Sequence, residues 1–182
     1  CYVESKGAVF VKQYAYQSFI GCLRAFTMDK GGRIIGGVVT AVNGIQCTTL
    51  GNHAGVPTYV RAGIDFIVER KARLTREKHQ HVSLRLQKLT ERLGENPTDR
   101  QIDIVHRIEE ERNKCAQRLG DLMEGLDSDE NAEISVAGEV FPGVIVQICR
   151  AEYHVTEQLK SVTFRLDKQS GHVVVQPIDG GA

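Results

Sequence analysis

Tryptophan is absent from this 182-residue chain, aromatic residues of all kinds make up 6%, and proline occurs four times. So few aromatics argue against the stacking platforms on which single-stranded nucleic acids lie. Net charge is lacking too, because 23 Lys and Arg balance 23 Asp and Glu. No global field therefore draws the chain to nucleic acid or to an anionic membrane. No stretch approaches the roughly 18 consecutive apolar residues of a transmembrane helix, so direct membrane insertion is not expected. The five cysteines, Cys1, Cys22, Cys47, Cys115 and Cys149, form no CxxC pair. Their odd number and wide spacing support neither a zinc site nor a disulfide framework, and they read as buried thiols in a reducing cytosol. A signal peptide needs a continuous apolar stretch, which Lys6, Lys12 and Gln13 interrupt. With Cys1-Tyr2-Val3 at its start, the chain is expected to be a piece of a longer protein.

What is present falls into three textures. Residues 1–64 are β-like and punctuated by glycine. Short apolar pieces recur, such as Gly7-Ala8-Val9-Phe10-Val11, Phe19-Ile20-Gly21-Cys22-Leu23 and Gly44-Ile45-Gln46-Cys47. Each read piece is short, about three to six residues, with a glycine corner nearby. Sandwich strands run longer and are flanked by hairpin dipeptides, of which Asn43-Gly44 is the one example here. Brief strands with sharp corners suit a β-solenoid, whose coils stack. Its inward positions must be small or aliphatic, and Val9, Val11, Ile20, Cys22, Ile34, Ala41, Ile45 and Cys47 fit.

Residues 65–126 read as an antiparallel helical hairpin. Asp65 is a candidate N-cap and the residues after it are strong helix formers. Val82, Leu86, Leu89 and Leu93 recur at spacings of four and three, and Gly94 suits a C-terminal cap. Pro97 stops the helix, and the Thr98 to Gln101 spacing is that of a capping box, so a second helix restarts there. Val105, Ile108, Arg112, Cys115, Leu119, Leu122 and Leu126 continue the three-and-four spacing, a heptad seam. The first arm carries eight Lys and Arg against three acids between positions 69 and 93, the second five against seven between 98 and 124. Two helices of complementary charge joined by a short loop pair antiparallel. A basic helix for nucleic acid is the weaker reading, since the acidic arm neutralises it.

Residues 127–182 open on the acidic stretch Asp127-Ser128-Asp129-Glu130-Asn131 and return to β pattern. Phe141-Pro142-Gly143 is a turn signal, and Lys168-Gln169-Ser170-Gly171 a hairpin loop before a last strand. The economical architecture is mainly β with inserted α: one β body, 1–64 and 127–182, from which the hairpin 65–126 projects.

Two strings then carry a resemblance. Lys30-Gly31-Gly32-Arg33-Ile34-Ile35-Gly36-Gly37, with Gly51, Thr58 and Gly63 beyond it, is similar to the glycine signature of the flagellar assembly protein A (FapA) family. Gly138-Glu139-Val140-Phe141-Pro142-Gly143-Val144 resembles that family's second signature, with Phe141 in place of a tyrosine before Pro142 and Gly143. The order of glycine signature, charged hairpin and Pro-Gly-Val signature is the specific part. The resemblance implies a right-handed parallel β-helix with a coiled-coil arm, in a bacterial cytoplasmic protein linked to flagellar assembly or to organisation of the cell pole. It implies protein partners and no catalytic residues.

The residues themselves point to no chemistry. There is no GxxxxGK[ST], HExxH or GxSxG string. The glycines around Arg33 have the density of a phosphate loop, but no helix start follows them. His79 and His81 lie two apart on a helix, hence on different faces, and a metal shared with His106 is the minor reading beside solvated histidines. No enzyme, cofactor or metal is expected; the expected function is a non-enzymatic interaction module, with homo-oligomers an open alternative. Two other classes stay open. One is a self-assembling β-helix cytoskeletal scaffold. The other is a β-helix acyltransferase, which requires a strict six-residue repeat that Ile34, Ile45 and Val60 do not keep.

Overall fold

Thirteen strands and two helices occupy residues 1–93, 97–126 and 129–178, the residues that the computed structural model describes. The expected cap at Gly94 and the linker residues Asp127 and Ser128 lie outside them. In chain order the strands before the helices are β1 (Tyr2–Ser5), β2 (Val9–Val11), β3 (Tyr14–Cys22), β4 (Ala25–Met28), β5 (Arg33–Ala41), β6 (Gly44–Cys47), β7 (Thr49–Leu50) and β8 (Thr58–Ala62). Helices α1 (Phe66–Arg92) and α2 (Asp99–Glu124) follow. Beyond them come β9 (Glu133–Val140), β10 (Val144–Ile148), β11 (Ala151–His154), β12 (Leu159–Asp167) and β13 (His172–Pro177). Two compact units divide the chain: Cys1–Phe66 with Asp127–Ala182, and Ile67–Leu126.

The first unit is a β-solenoid, built from three parallel ladders. In one, β1, β3, β5, β8 and β10 stack so that Tyr2 faces Phe19, Phe19 faces Val38, Val38 faces Tyr59 and Tyr59 faces Ile145. In the second, Val9, Phe26, Ile45 and Ile134 succeed one another through β2, β4, β6 and β9. The third stacks Ala15, Ile34, Leu50 and Val140. From Tyr2 to Tyr59 the chain thus makes three uninterrupted turns, and the next turn runs out through α1 and α2 before closing on β9. Parallel pairing ends at β10: β11 folds back on it antiparallel, and β12 and β13 lie antiparallel beyond β9. Asp167 pairs with His172, which makes Lys168-Gln169-Ser170-Gly171 the loop of that hairpin.

Strand alternation aims every second side chain inward, and the inward rows run in register from coil to coil. Ile20, Val39, Val60 and Val146 form one row, Cys22, Ala41, Ala62 and Ile148 another, and Phe26, Ile45, Ile134 and Phe164 a third. All are buried. Each such aliphatic or aromatic side chain contributes about 1.5–3 kcal/mol on burial. Of the expected inward residues Ile20, Cys22, Ile34, Ala41, Ile45 and Cys47 are buried, while Val9 and Val11 are half-buried. These two belong to β2, which pairs with β4 alone.

Strand length differs from the sequence expectation. β3, β5 and β12 each run nine residues rather than three to six. β3 and β5 turn a corner without breaking, at Gln17 (φ 42°) and at Gly36 and Gly37 (φ 71° and 83°). A bend of this kind reads in sequence like the end of a strand. β4 and β7 fall between the pieces that read as β in the sequence.

The second unit holds most of α1 and all of α2. Arg, Lys, Leu, Gln and Glu dominate both, and all are favourable in helix interiors. At the start of α2 the Thr98 amide donates to Gln101 Oε1 at 2.8 Å, as a capping box requires.

Candidate protein-interaction surface

The signature residues lie at the corners of the solenoid. Gly32 immediately precedes β5, Gly36 and Gly37 bend it, Gly51 follows β7, Gly63 follows β8, and Pro142 and Gly143 turn the chain from β9 into β10. The fully buried Thr58 ties two of these corners together: its hydroxyl accepts the Gly36 amide at 2.8 Å and donates to the Val56 carbonyl at 2.9 Å. The two signatures also meet, for a Cβ on Gly51 would stand 2.8 Å from Val144 Cγ2 and 3.3 Å from Phe141 Cβ. Around this junction lies a shallow depression of about 300 Å³ that includes Arg33, Asn52, His53 and Glu139. His53 meets the Phe141 ring edge-on at 4.4 Å. The depression holds two opposite charges, Arg33 and Glu139, beside the imidazole of His53.

Five of the helical residues read as a seam are brought together. Val82, Leu86 and Ile108 form a buried cluster, with Leu89 and Val105 packed against it. Cys115 is buried as well, while Leu93, Leu119 and Leu122 are partly covered. Across the pair, Lys78 Nζ sits 2.8 Å from Glu111 Oε1. The ammonium hydrogen bond and charge of Lys78 hold the Glu111 carboxyl below its ordinary value, and Glu111 in return raises Lys78. Arg112, the one charged residue read into the seam, is half-buried and bonds the Asn113 amide oxygen at 3.1 Å. Three further residues on the same face of α1 are covered: Ala72 is buried, and Thr75 and His79 are half-buried. These keep the three-and-four spacing, but Ala, Thr and His do not stand out as apolar.

His81 and His106 are exposed, and His106 Nδ1 lies 3.6 Å from Glu109 of its own helix. Among the described residues no group of three His, Cys, Asp or Glu gathers to hold a metal ion. Nor is any helix of the described residues long and apolar enough to cross a membrane.

One feature of the helices escapes the heptad pattern. Leu84 and Ile104 stay exposed, at 57% and 40%. Together with Leu89 they line a groove of about 410 Å³ whose other walls are His81, Arg85, Lys88 and Arg92. Among the described residues none of Arg85, Lys88 and Arg92 has a carboxylate within ion-pair distance. Apolar residues off the seam spacing, in an otherwise charged helix, are the signal that marks this groove in the sequence.

Comparison with known proteins gives one match. The model of the Flagellar Assembly Protein A β-solenoid domain family matches residues 1–171. No curated protein and no solved structure matches the chain.

Proposed function

Because the chain belongs to the Flagellar Assembly Protein A β-solenoid domain family, we propose that it serves flagellar assembly, or the organisation of the cell pole, as a non-enzymatic scaffold that acts through protein contacts in the cytoplasm. The solenoid supplies a rigid body, and the helices supply recognition. The observation that carries this reading is the groove on the helix pair, where exposed leucine and isoleucine lie among cations that have no carboxylate within ion-pair distance among the described residues. A surface of that composition is a binding face rather than a solvated one. We also infer a right-handed winding, the hand that parallel β-crossovers take in nearly all cases, and a coiled-coil seam through Val82, Leu86, Leu89, Leu93, Val105, Ile108, Cys115, Leu119 and Leu122. The glycine and Pro-Gly residues of the two signatures serve the corners of the solenoid.

A second reading, self-assembly into filaments, draws on the exposed aromatics Tyr14, Tyr16 and Tyr59 of the solenoid. The test exchanges residues 70–124 for a Gly-Ser loop in a flagellated bacterium that carries the full-length protein. Loop-closure entropy rises slowly with length, so the exchange itself is tolerated. The β signal in circular dichroism is expected to survive while flagellation and recruitment of the protein to its site are lost. Undiminished flagellation refutes the helices as the recognition element. Filaments of purified protein in the electron microscope would favour self-assembly.

A further inference from the structure

We propose that the groove floored by Leu84, Leu89 and Ile104 and edged by Arg85, Lys88 and Arg92 docks an acidic amphipathic helix of a partner protein. The inference rests on the scaffold reading above and deepens it by naming the site and the chemistry of its occupant.

Charge decides the sign of the partner. Two turns back along α1 from Arg85, Lys78 is answered by Glu111 at 2.8 Å. Lys88 and Arg92 have no carboxylate within ion-pair distance among the described residues, and Arg85, whose charge also helps to hold Glu111 low, makes no close pair with it. Unanswered cations beside exposed apolar side chains call for a ligand that brings carboxylates and a greasy face together.

Spacing decides its shape. Arg85, Lys88 and Arg92 follow each other at three and four residues, so they share one side of α1 and extend about 10 Å along it. Acids at the same spacing on a partner would lie on one face of a helix, beside leucines at the adjoining positions. A groove of about 410 Å³ admits a few such side chains.

Composition argues against single-stranded nucleic acid. No Phe, Tyr or Trp lines the groove, so it lacks the broad stacking platforms on which single-stranded bases lie.

The test uses the whole chain and a fluorescent peptide of about four turns, roughly 14 residues, with leucines on one face and glutamates beside them. Its control is the same peptide with lysine for every glutamate. Anisotropy is expected to show saturable binding of the acidic peptide, weakened by salt, and none of the lysine peptide. Charge reversal at the three exposed sites, R85E with K88E and R92E, is expected to weaken the acidic peptide at least tenfold and to admit the lysine peptide. Leu84→Ser is expected to weaken the acidic peptide several-fold, with unchanged helical circular dichroism in both variants.

Failure of the intact chain to bind the acidic peptide overturns the proposal, as does equal binding by the charge-reversed variant. So does a dimer in sedimentation that the charge reversal dissolves, since the occupant is then a second copy. Stronger retention on phosphatidylserine vesicles than on the peptide also overturns it. Flagellation keeps this separate from the scaffold reading. If the peptide fails but exchange of residues 70–124 still abolishes flagellation, the groove is refuted and the scaffold reading stands. If the peptide binds but that exchange leaves flagellation intact, the scaffold reading falls.

Discussion

A Cβ placed on Gly37 would stand 2.2 Å from the carbonyl oxygen of Ser18. The two residues are ladder partners in neighbouring coils, and Gly37 adopts a φ of 83°. Both the backbone angle and the space therefore demand glycine. Gly37→Ala combines left-handed strain with a forced shift of the neighbouring coil, and is expected to lower stability by about 3 kcal/mol. Urea unfolding followed by the β signal checks this; a loss under about 1 kcal/mol would show that the coils slide apart easily.

Two buried threonines predict opposite outcomes for one substitution. Thr40 is 1% exposed and its hydroxyl has no hydrogen-bond partner among the described residues. Thr58 is fully buried and its hydroxyl bridges Gly36 and Val56. Thr40→Val is expected to stabilise by about 1 kcal/mol, and Thr58→Val to destabilise by about 1–3 kcal/mol, because it strands the buried Gly36 amide. Equal effects in denaturant melts would contradict this assignment.

How much of this was legible in the sequence depends on what each feature writes there. Corner glycines and inward aliphatics leave marks, so the solenoid, its inward residues Ile34 and Ile45, and the Thr98–Gln101 helix start could be read. Strands that bend at Gln17 or Gly36 leave the mark of a strand end instead, and β3 and β5 were legible only as fragments. His79 and Thr75 lie on the covered face of α1 because of helical geometry, with nothing apolar to announce them. The groove was hidden for a different reason. Leu84 and Ile104 are twenty positions apart in the sequence, and only the pairing of α1 with α2 makes them neighbours.

The Lys78–Glu111 contact gives a pH dependence with a definite sign. Glu111 is held below its ordinary value, so its stabilisation is present above the usual carboxylate range and lost as pH falls through the lowered value. Lys78 is held above its ordinary value, so its share is present below the usual lysine range and lost as pH rises through the raised one. Both groups are exposed, so the effect is small and screened by salt. Lys78→Gln is expected to melt earlier than the parent near neutral pH, and the gap between them to close as pH falls below the lowered Glu111 value. Far-UV circular dichroism reads both curves; a gap that persists in acid would rule the ion pair out as its source.

Thiol chemistry should separate the cysteines. Burial pushes the Cys47 thiol up to about 12 and raises Cys22, while Cys1 is exposed. Only thiolate reacts with alkylating reagents. At mildly alkaline pH iodoacetamide is expected to modify Cys1 promptly, and Cys47 at least roughly a hundredfold more slowly until the chain is unfolded. Peptide mass spectrometry resolves the sites. Comparable rates at Cys1 and Cys47 would mean that the solenoid opens readily.

The interruption of the winding has a consequence for how the protein is made. Arg61 of β8 bonds Gln147 of β10, 86 residues further on. A ribosome adding about 5–20 residues each second needs several seconds to deliver that stretch. The helices, rich in local contacts, fold in a small fraction of that delay. Meanwhile the newly made β8 presents a bare hydrogen-bonding edge to whatever the nascent chain encounters. Synthesis therefore contains one defined interval of vulnerability, which opens when Ala62 emerges and ends when Val144 does.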